Sequence, residues 1–240
     1  MSNSINNLRK KYIPRQSKSI KKNALPIIKL LLDTKYNYHF DWMGVPTIQF
    51  PSDLIVIQEI IFKYKPDVII ETGIAHGGSL LFYSSILKLL KRNYTVIGID
   101  VLIKGKNKKK ILSNKLSKNI KLLVGSSTDP KIFKKVEKIT HKKKVMVILD
   151  SNHSHNHSLN ELQLFSKLIK KNGYIIAMDT VIEFIDKKHI NKNRDFGKGN
   201  NPFTAVREFL KINKAFKIDK LYETKSFMTG CFSGFLKRTR

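Results

Sequence analysis

Four acidic residues close apolar runs in this chain, and their neighbours decide what chemistry they can do. Val68-Ile69-Ile70 leads into Glu71-Thr72-Gly73-Ile74-Ala75-His76-Gly77-Gly78-Ser79. Gly73, Gly77 and Gly78 let the backbone turn tightly and let a ligand approach the main chain. The helix expected to follow points free N–H groups at that ligand. A dinucleotide fingerprint needs G-x-G-x-x-G, and Gly73, Ala75 and Gly78 miss its second glycine. The acidic Glu71 ahead of the turn suits a ligand with an amino-acid end and no pyrophosphate. Val96-Ile97-Gly98-Ile99 then closes on Asp100, where a carboxylate accepts both ribose hydroxyls of an adenosyl group; a turn or cap aspartate is the plainer alternative. A third run ends in Gly125-Ser126-Ser127-Thr128-Asp129, with a place for adenine at Ser126. Asp129, before Pro130, reads as a helix N-cap.

The other two acids suggest a metal. Val145 to Leu149 delivers Asp150 and then Ser151-Asn152-His153-Ser154-His155-Asn156-His157, while Tyr174 to Ala177 delivers Met178-Asp179-Thr180. On adjacent strands Asp150 and Asp179 share one edge, and two carboxylates suit a Mg²⁺-like cation that also holds waters. Such a cation orients a substrate hydroxyl and lowers its pKa. His153 falls in the same cleft, with a pKa suited to accepting the hydroxyl proton. The three alternate histidines could instead form a transition-metal site, but His155 and His157 precede a helix and read as capping or solvent-facing groups.

For these residues to meet, the runs that carry them must lie side by side. Strands are expected over 68–70, 94–99, 120–124, 145–149 and 174–177; runs apolar throughout, such as 68–70, belong in a parallel sheet covered on both faces. Helical patterns lie between them, starting with Leu54, Ile57, Ile60 and Ile61 after a Ser52 or Asp53 cap. The alternation means βαβ units, hence an α/β fold with a doubly wound, mostly parallel, Rossmann-like sheet. Ligands in such sheets bind at the carboxyl ends of the strands. A lysine-rich loop is expected over 104–110, a long active-site loop over 186–201 and a closing hairpin within 216–236. Ahead of the main domain (53–240) stand a flexible basic arm (1–25) and a cap segment (26–52). The arm carries Arg9, Lys10, Lys11, Arg15, Lys18, Lys21 and Lys22. The cap has aromatics from Tyr38 to Trp42 that could cover a pocket or pack on the core.

Composition narrows the setting. With 240 residues, 41% hydrophobic and 10% aromatic, the chain is globular. No apolar run reaches the roughly 20 residues that span a bilayer, and the basic start lacks the apolar core of a secretory signal. One cysteine, Cys231, forms no internal disulfide and reads as a buried small hydrophobe. A cytoplasmic protein is expected, with peripheral contact at an inner membrane surface. The net charge of +28 attracts polyanions or anionic lipid, although its Lys, Ile and Asn excess is also what an AT-rich genome produces.

Together these strand-end motifs resemble the cephalosporin hydroxylase family, a family of methyltransferase fold that includes rhamnosyl O-methyltransferases. The likeness runs from about Trp42 to Arg238. It covers Trp42-x-Gly44, Ile48-Gln49-x-Pro51-x-Asp53-Leu54, Pro66-Asp67-Val68-Ile69-Ile70-Glu71-Thr72-Gly73, Gly77-Gly78-Ser79, Gly98-Ile99-Asp100 and Leu149-Asp150-Ser151-Asn152-His153. It continues through His157-x-x-x-Glu161-Leu162, Gly173-Tyr174, Asp179-Thr180, Ala205-Val206-x-Glu208-Phe209-Leu210 and Gly234-Phe235-Leu236-Lys237-Arg238. The resemblance implies an S-adenosylmethionine site at Glu71, Gly73, Gly77, Ser79 and Asp100, and a divalent cation at Asp150 and Asp179. It departs from the family where Met178-Asp179 replaces the usual Glu-Asp, so one carboxylate is missing. The implied activity is O-methylation of a sugar hydroxyl on a glycan or glycolipid, by a chain that could self-associate. The rival readings are an iron-dependent hydroxylase using Asp150, His153 and His155, a non-catalytic polyanion-binding protein, and an RNA methyltransferase. For the last, no stacking-aromatic motif of the usual RNA modules is seen, so nucleic acid is not the expected partner.

Overall fold

The computed structural model describes residues 2–90, 93–190 and 193–240, without the side chains of residues 2, 3, 13–22 and 188. Arg15, Lys18, Lys21 and Lys22 of the expected basic arm lie outside the described side chains. The chain opens with helix α1 (Ser2–Asp33) and a small hairpin, β1 (Asp41–Trp42) with β2 (Val45–Pro46). Helix α2 (Pro51–Tyr64), strand β3 (Val68–Thr72), helix α3 (Gly78–Leu89), strand β4 (Thr95–Asp100) and helix α4 (Gly105–Leu112) follow. Next come β5 (Ile120–Val124), α5 (Pro130–Thr140), β6 (Val145–Leu149), α6 (His155–Phe165) and β7 (Tyr174–Ala177). The chain ends with α7 (Pro202–Ile212), β8 (Phe216–Ile218), α8 (Lys220–Lys225) and β9 (Phe235–Arg238).

Seven strands form one sheet in the order β5-β4-β3-β6-β7-β9-β8. Strands β3 to β7 pair in parallel, and β9 runs antiparallel between β7 and β8. The period of two along each strand sends alternate side chains into two apolar layers. Ile69, Val96, Met146 and Ile176 join Ile57, Ile61, Leu80 and Tyr83 on one face. Val68, Ile70, Ile97, Val147 and Ile175 join Val136, Phe165 and Phe209 on the other. All five residues of β3 and of β6 are buried, as a strand covered on both faces requires. The chain leaves β3 toward β4 and β5, then returns to β6 on the other side. The crevice at that reversal is where such sheets bind ligands.

Several expectations are corrected. Residues 2–33 form a single helix, where the sequence suggested an arm and a separate cap. Its later half is held by burial, since Ala24 and Ile28 pack with Phe50, Val181, Ile182, Ile185 and Phe232. The lysine-rich stretch 104–110 is mostly α4 rather than a loop. Ile111 alone anchors it in the core, and one buried residue among exposed lysines leaves little amphipathic signal. Neither Ser52 nor Asp53 caps α2: the N-cap is Phe50 with Pro51 following. The Ser52 hydroxyl donates to the Met228 carbonyl, and Asp53 is fully buried. Strands β8 and β9 do close the sheet, but α8 and a further loop connect them in place of a tight turn.

Candidate active site

The register of the sheet sets the four acids along one rim. Glu71 pairs with Gly98 and Ile148, Thr72 with Ile99 and Leu149, and Leu149 with Ala177. Asp100 therefore ends β4 beside the β3 loop, while Asp150 and Asp179 emerge next to one another beyond β6 and β7. A cavity of about 850 Å³ opens above this rim, lined among others by Gly73, Asp100, Ser126, Asp150, His153 and Asp179. Residues 189, 190 and 193–196 of the expected active-site loop, with Ile185 just before it, also reach the wall. The aromatic cap divides: Tyr38 lines the cavity, while Trp42 packs edge-on against Phe82, ring centres 4.8 Å apart.

At the β3–β4 end, Gly73 has φ 76°, and a Cβ there would lie 2.1 Å from the Asp150 carbonyl oxygen. Only glycine lets the two strand ends approach so closely. Asp100 takes one backbone N–H on each carboxylate oxygen, Ile74 N at 2.9 Å and Leu102 N at 3.1 Å. Each oxygen keeps a further lone pair for a ligand hydroxyl. Four expected cofactor residues stand elsewhere, since Glu71, Gly77, Gly78 and Ser79 are absent from the cavity wall. A Cβ on Gly78 would meet Thr47, Pro46 and Val45 at 2.1–2.5 Å, and one on Gly77 would meet Ile111. These two glycines admit the β1–β2 segment and α4 against the start of α3.

Glu71 lies beneath the glycine turn, fully buried. Its carboxylate accepts from Ser79 Oγ at 2.5 Å and Tyr83 Oη at 2.9 Å, with Gln49 Nε2 at 3.5 Å. Burial pushes its pKa up to about 7, the Asp100 charge adds to that, and the three hydrogen bonds oppose it.

At the other end, one ligand atom each from Asp150, His153 and Asp179 lies within 4.8 Å of the others. His153 Nε2 is 3.2 Å from Asp179 Oδ2, and Phe196 packs edge-on against the imidazole. Asp179 occupies the left-handed region at φ 54°, which aspartate tolerates better than most residues. Burial raises the Asp150 carboxyl well above its usual range. The charges of Asp179 and Glu71 push the same way, and a hydrogen bond from the Gln49 side chain opposes them. Two carboxylates that repel one another, with an imidazole beside them, fit a divalent cation. The missing third carboxylate has a structural counterpart: Met178 is 3% exposed, its sulfur 3.2 Å from Cys231 Sγ.

The other histidines separate. His155 contacts Thr204 at 2.8 Å and Glu208 at 3.1 Å, and His157 contacts Ser127 and Ser151, both at 3.1 Å. No three-histidine site forms, and the hydroxylase reading loses the His155 it needs. Asp129 caps α5 as expected, accepting from Lys131 N at 2.7 Å. Residue-by-residue reading assigned no chemistry to Gln49 or Asp53, which both line the cavity. Asp53 accepts from Ser226 and Thr229 hydroxyls at 2.6 Å and from Gly230 N at 2.9 Å. Burial raises its pKa to about 6 against those three hydrogen bonds. The available signal was the run Ile48-Gln49-x-Pro51-x-Asp53, polar side chains on either side of a helix start.

A parallel sheet of this order with one antiparallel strand, an acid ending β4 and an acid–imidazole cluster beyond β6 and β7, defines a class I S-adenosylmethionine-dependent methyltransferase. The sequence profile of the rhamnosyl O-methyltransferase/CmcI family matches residues 34–239, and the chain belongs to that family. A rhamnosyl O-methyltransferase of Mycobacterium bovis (strain BCG / Pasteur 1173P2) is 28% identical over 203 residues, covering 82% of this chain and 77% of its own. Among solved structures, CmcI with S-adenosylhomocysteine superposes with a TM-score of 0.59 at 21% identity, over 84% of this chain and 83% of that one. An O-methyltransferase from Bacillus cereus with S-adenosylhomocysteine gives 0.52 at 14% identity, covering 81% of each chain.

Proposed function

We propose that this chain transfers the methyl group of S-adenosylmethionine to a sugar hydroxyl, with Asp100 and Gly73 at the cofactor end of the cavity and Asp150, His153 and Asp179 at the acceptor end. The observation that carries this reading is the single cavity spanning both groups. Asp100 takes the ribose hydroxyls, and Gly73 admits the methionine end close to the main chain. Glu71 holds Ser79 and Tyr83 from below and so keeps the turn in shape. Asp179 stands 3.2 Å from Nε2 of His153, which favours the proton on that nitrogen and leaves the lone pair on Nδ1 as the base. His153 takes the acceptor's hydroxyl proton as the new O–C bond forms and the C–S bond breaks, and S-adenosylhomocysteine departs. A divalent cation, held by Asp150 and Asp179, would lower the pKa of the acceptor hydroxyl. Most of the rate comes from alignment and from losing a sulfonium charge in a cleft shielded from water.

The sugar acceptor is supported by the name of the mycobacterial relatives. The test pairs calorimetry of S-adenosylhomocysteine binding with turnover of His153→Ala on a rhamnosyl acceptor. Removing a general base costs about 10²–10⁴ in kcat with nucleoside affinity unchanged; full turnover by the variant would remove His153 from the chemistry.

Contact with an anionic membrane surface is proposed through α1. Ile5, Leu8 and Tyr12 share one helical face and are each about half exposed, beside Arg9, Lys10 and Lys11. Co-sedimentation with vesicles containing phosphatidylglycerol tests it, and equal binding to neutral vesicles would refute the electrostatic part.

A further inference from the structure

Buried polar atoms normally have partners. Among the described residues four buried side-chain atoms do not: Trp42 Nε1, Tyr64 Oη, Thr72 Oγ1 and Gln49 Oε1. Of these residues only Gln49 lies on the cavity wall. It is 4% exposed, so its carbonyl oxygen has little access to bulk water. The amide orientation follows from its surroundings. Glu71 stands 3.5 Å from the amide nitrogen, and Asp150 is close enough to the same side chain to feel it. Both Glu71 oxygens already accept, from Ser79 and Tyr83, and so present acceptor lone pairs to the amide. The NH₂ group must face them, and Oε1 is left as an acceptor that wants a donor from the cavity.

Position along the rim says what that donor belongs to. Asp100 and Ser126, beyond β4 and β5, mark the adenosyl end, while His153 and Asp179, beyond β6 and β7, mark the acceptor end. Gln49 stands between them, against Glu71 of β3, the strand between β4 and β6. In the methyltransferase reading, on which this inference rests, that midpoint receives the methionine part of the cofactor. Its α-ammonium brings N–H donors and a positive charge into a place walled by Gln49 and Asp150, with Glu71 behind Gln49. The positive charge sits well beside the acidic Asp150, while an ammonium N–H meets the unmatched amide oxygen of Gln49.

We infer that Gln49 is a cofactor-binding residue, its Oε1 accepting a hydrogen bond from the α-ammonium of S-adenosylmethionine.

The test compares two nucleosides by calorimetry on the intact chain. S-adenosylhomocysteine carries the amino-acid end, and 5′-methylthioadenosine lacks it. Gln49→Met keeps the side-chain length and removes the acceptor. The expected result is about 10–100-fold weaker S-adenosylhomocysteine binding, the range for a lost hydrogen bond to a charged group. Methylthioadenosine affinity should stay within about twofold, which also shows that the variant is folded. Equal weakening of both ligands would mean that Gln49 only supports the wall, and no weakening of either would mean that its carbonyl meets nothing on the cofactor. Each of those results overturns the proposal. A wild-type chain that binds neither nucleoside would instead overturn the methyltransferase reading, and this inference with it.

Discussion

Glu71→Gln separates what Glu71 costs the fold from what it does for the glycine turn. Raising a fully buried carboxyl from its ordinary 4.5 to about 7 corresponds to about 3 kcal/mol. The sign follows from proton counting. Between those two values the native chain holds a proton that the unfolded chain has released, so stability falls as pH rises. The Glu71 contribution is whole below pH 4.5 and is lost as pH rises through about 7. Glutamine carries no titrating proton and keeps one oxygen to accept from Ser79 or Tyr83. Urea denaturation of both chains at about pH 4.5 and about pH 8.5 should therefore show Glu71→Gln gaining about 3 kcal/mol on the wild type across the range. Asp53, raised to about 6, titrates in both chains and cancels from the difference. A stability difference that stays constant within about 1 kcal/mol would refute the reasoning, because Glu71 would then ionise as easily inside the protein as outside it.

Gly78→Ala should destabilise the chain by about 1–3 kcal/mol in the same assay. The new methyl would meet the Pro46 and Val45 carbonyl oxygens at 2.4 and 2.5 Å, and backbone cannot swing aside as a side chain can. Unchanged stability would show that the β1–β2 segment does not rest on α3 as described. Asp53→Ala leaves the Gly230 N–H and two hydroxyls without their acceptor, for an expected loss of about 1–3 kcal/mol. Because Gly230 stands next to Asp179, the same variant should also lower turnover; full stability and full activity together would contradict both roles.

Much of this protein is readable from local patterns. The wholly apolar runs 68–70, 145–149 and 174–177 read as buried parallel strands, because solvent-free faces on both sides leave no polar position in the repeat. Strand ends are where a doubly wound sheet keeps its ligand groups, so Asp100, Asp150, His153 and Asp179 could be named one by one, and they do share a cavity. What tertiary structure alone decided was the use made of each group. Glu71 and Ser79 face one another under the turn because α3 folds back over β3. Gly77 and Gly78 serve close packing because α4 and the β1–β2 segment, distant in sequence, press on them. Asp53 looks like a cap from its neighbours but answers to Ser226, Thr229 and Gly230, over 170 residues away. Periodicity records whether a side chain is buried, not which remote donor or acceptor it meets there. Gln49 shows the same limit: its unmatched carbonyl is defined only by two carboxylates that the sheet carries to its side.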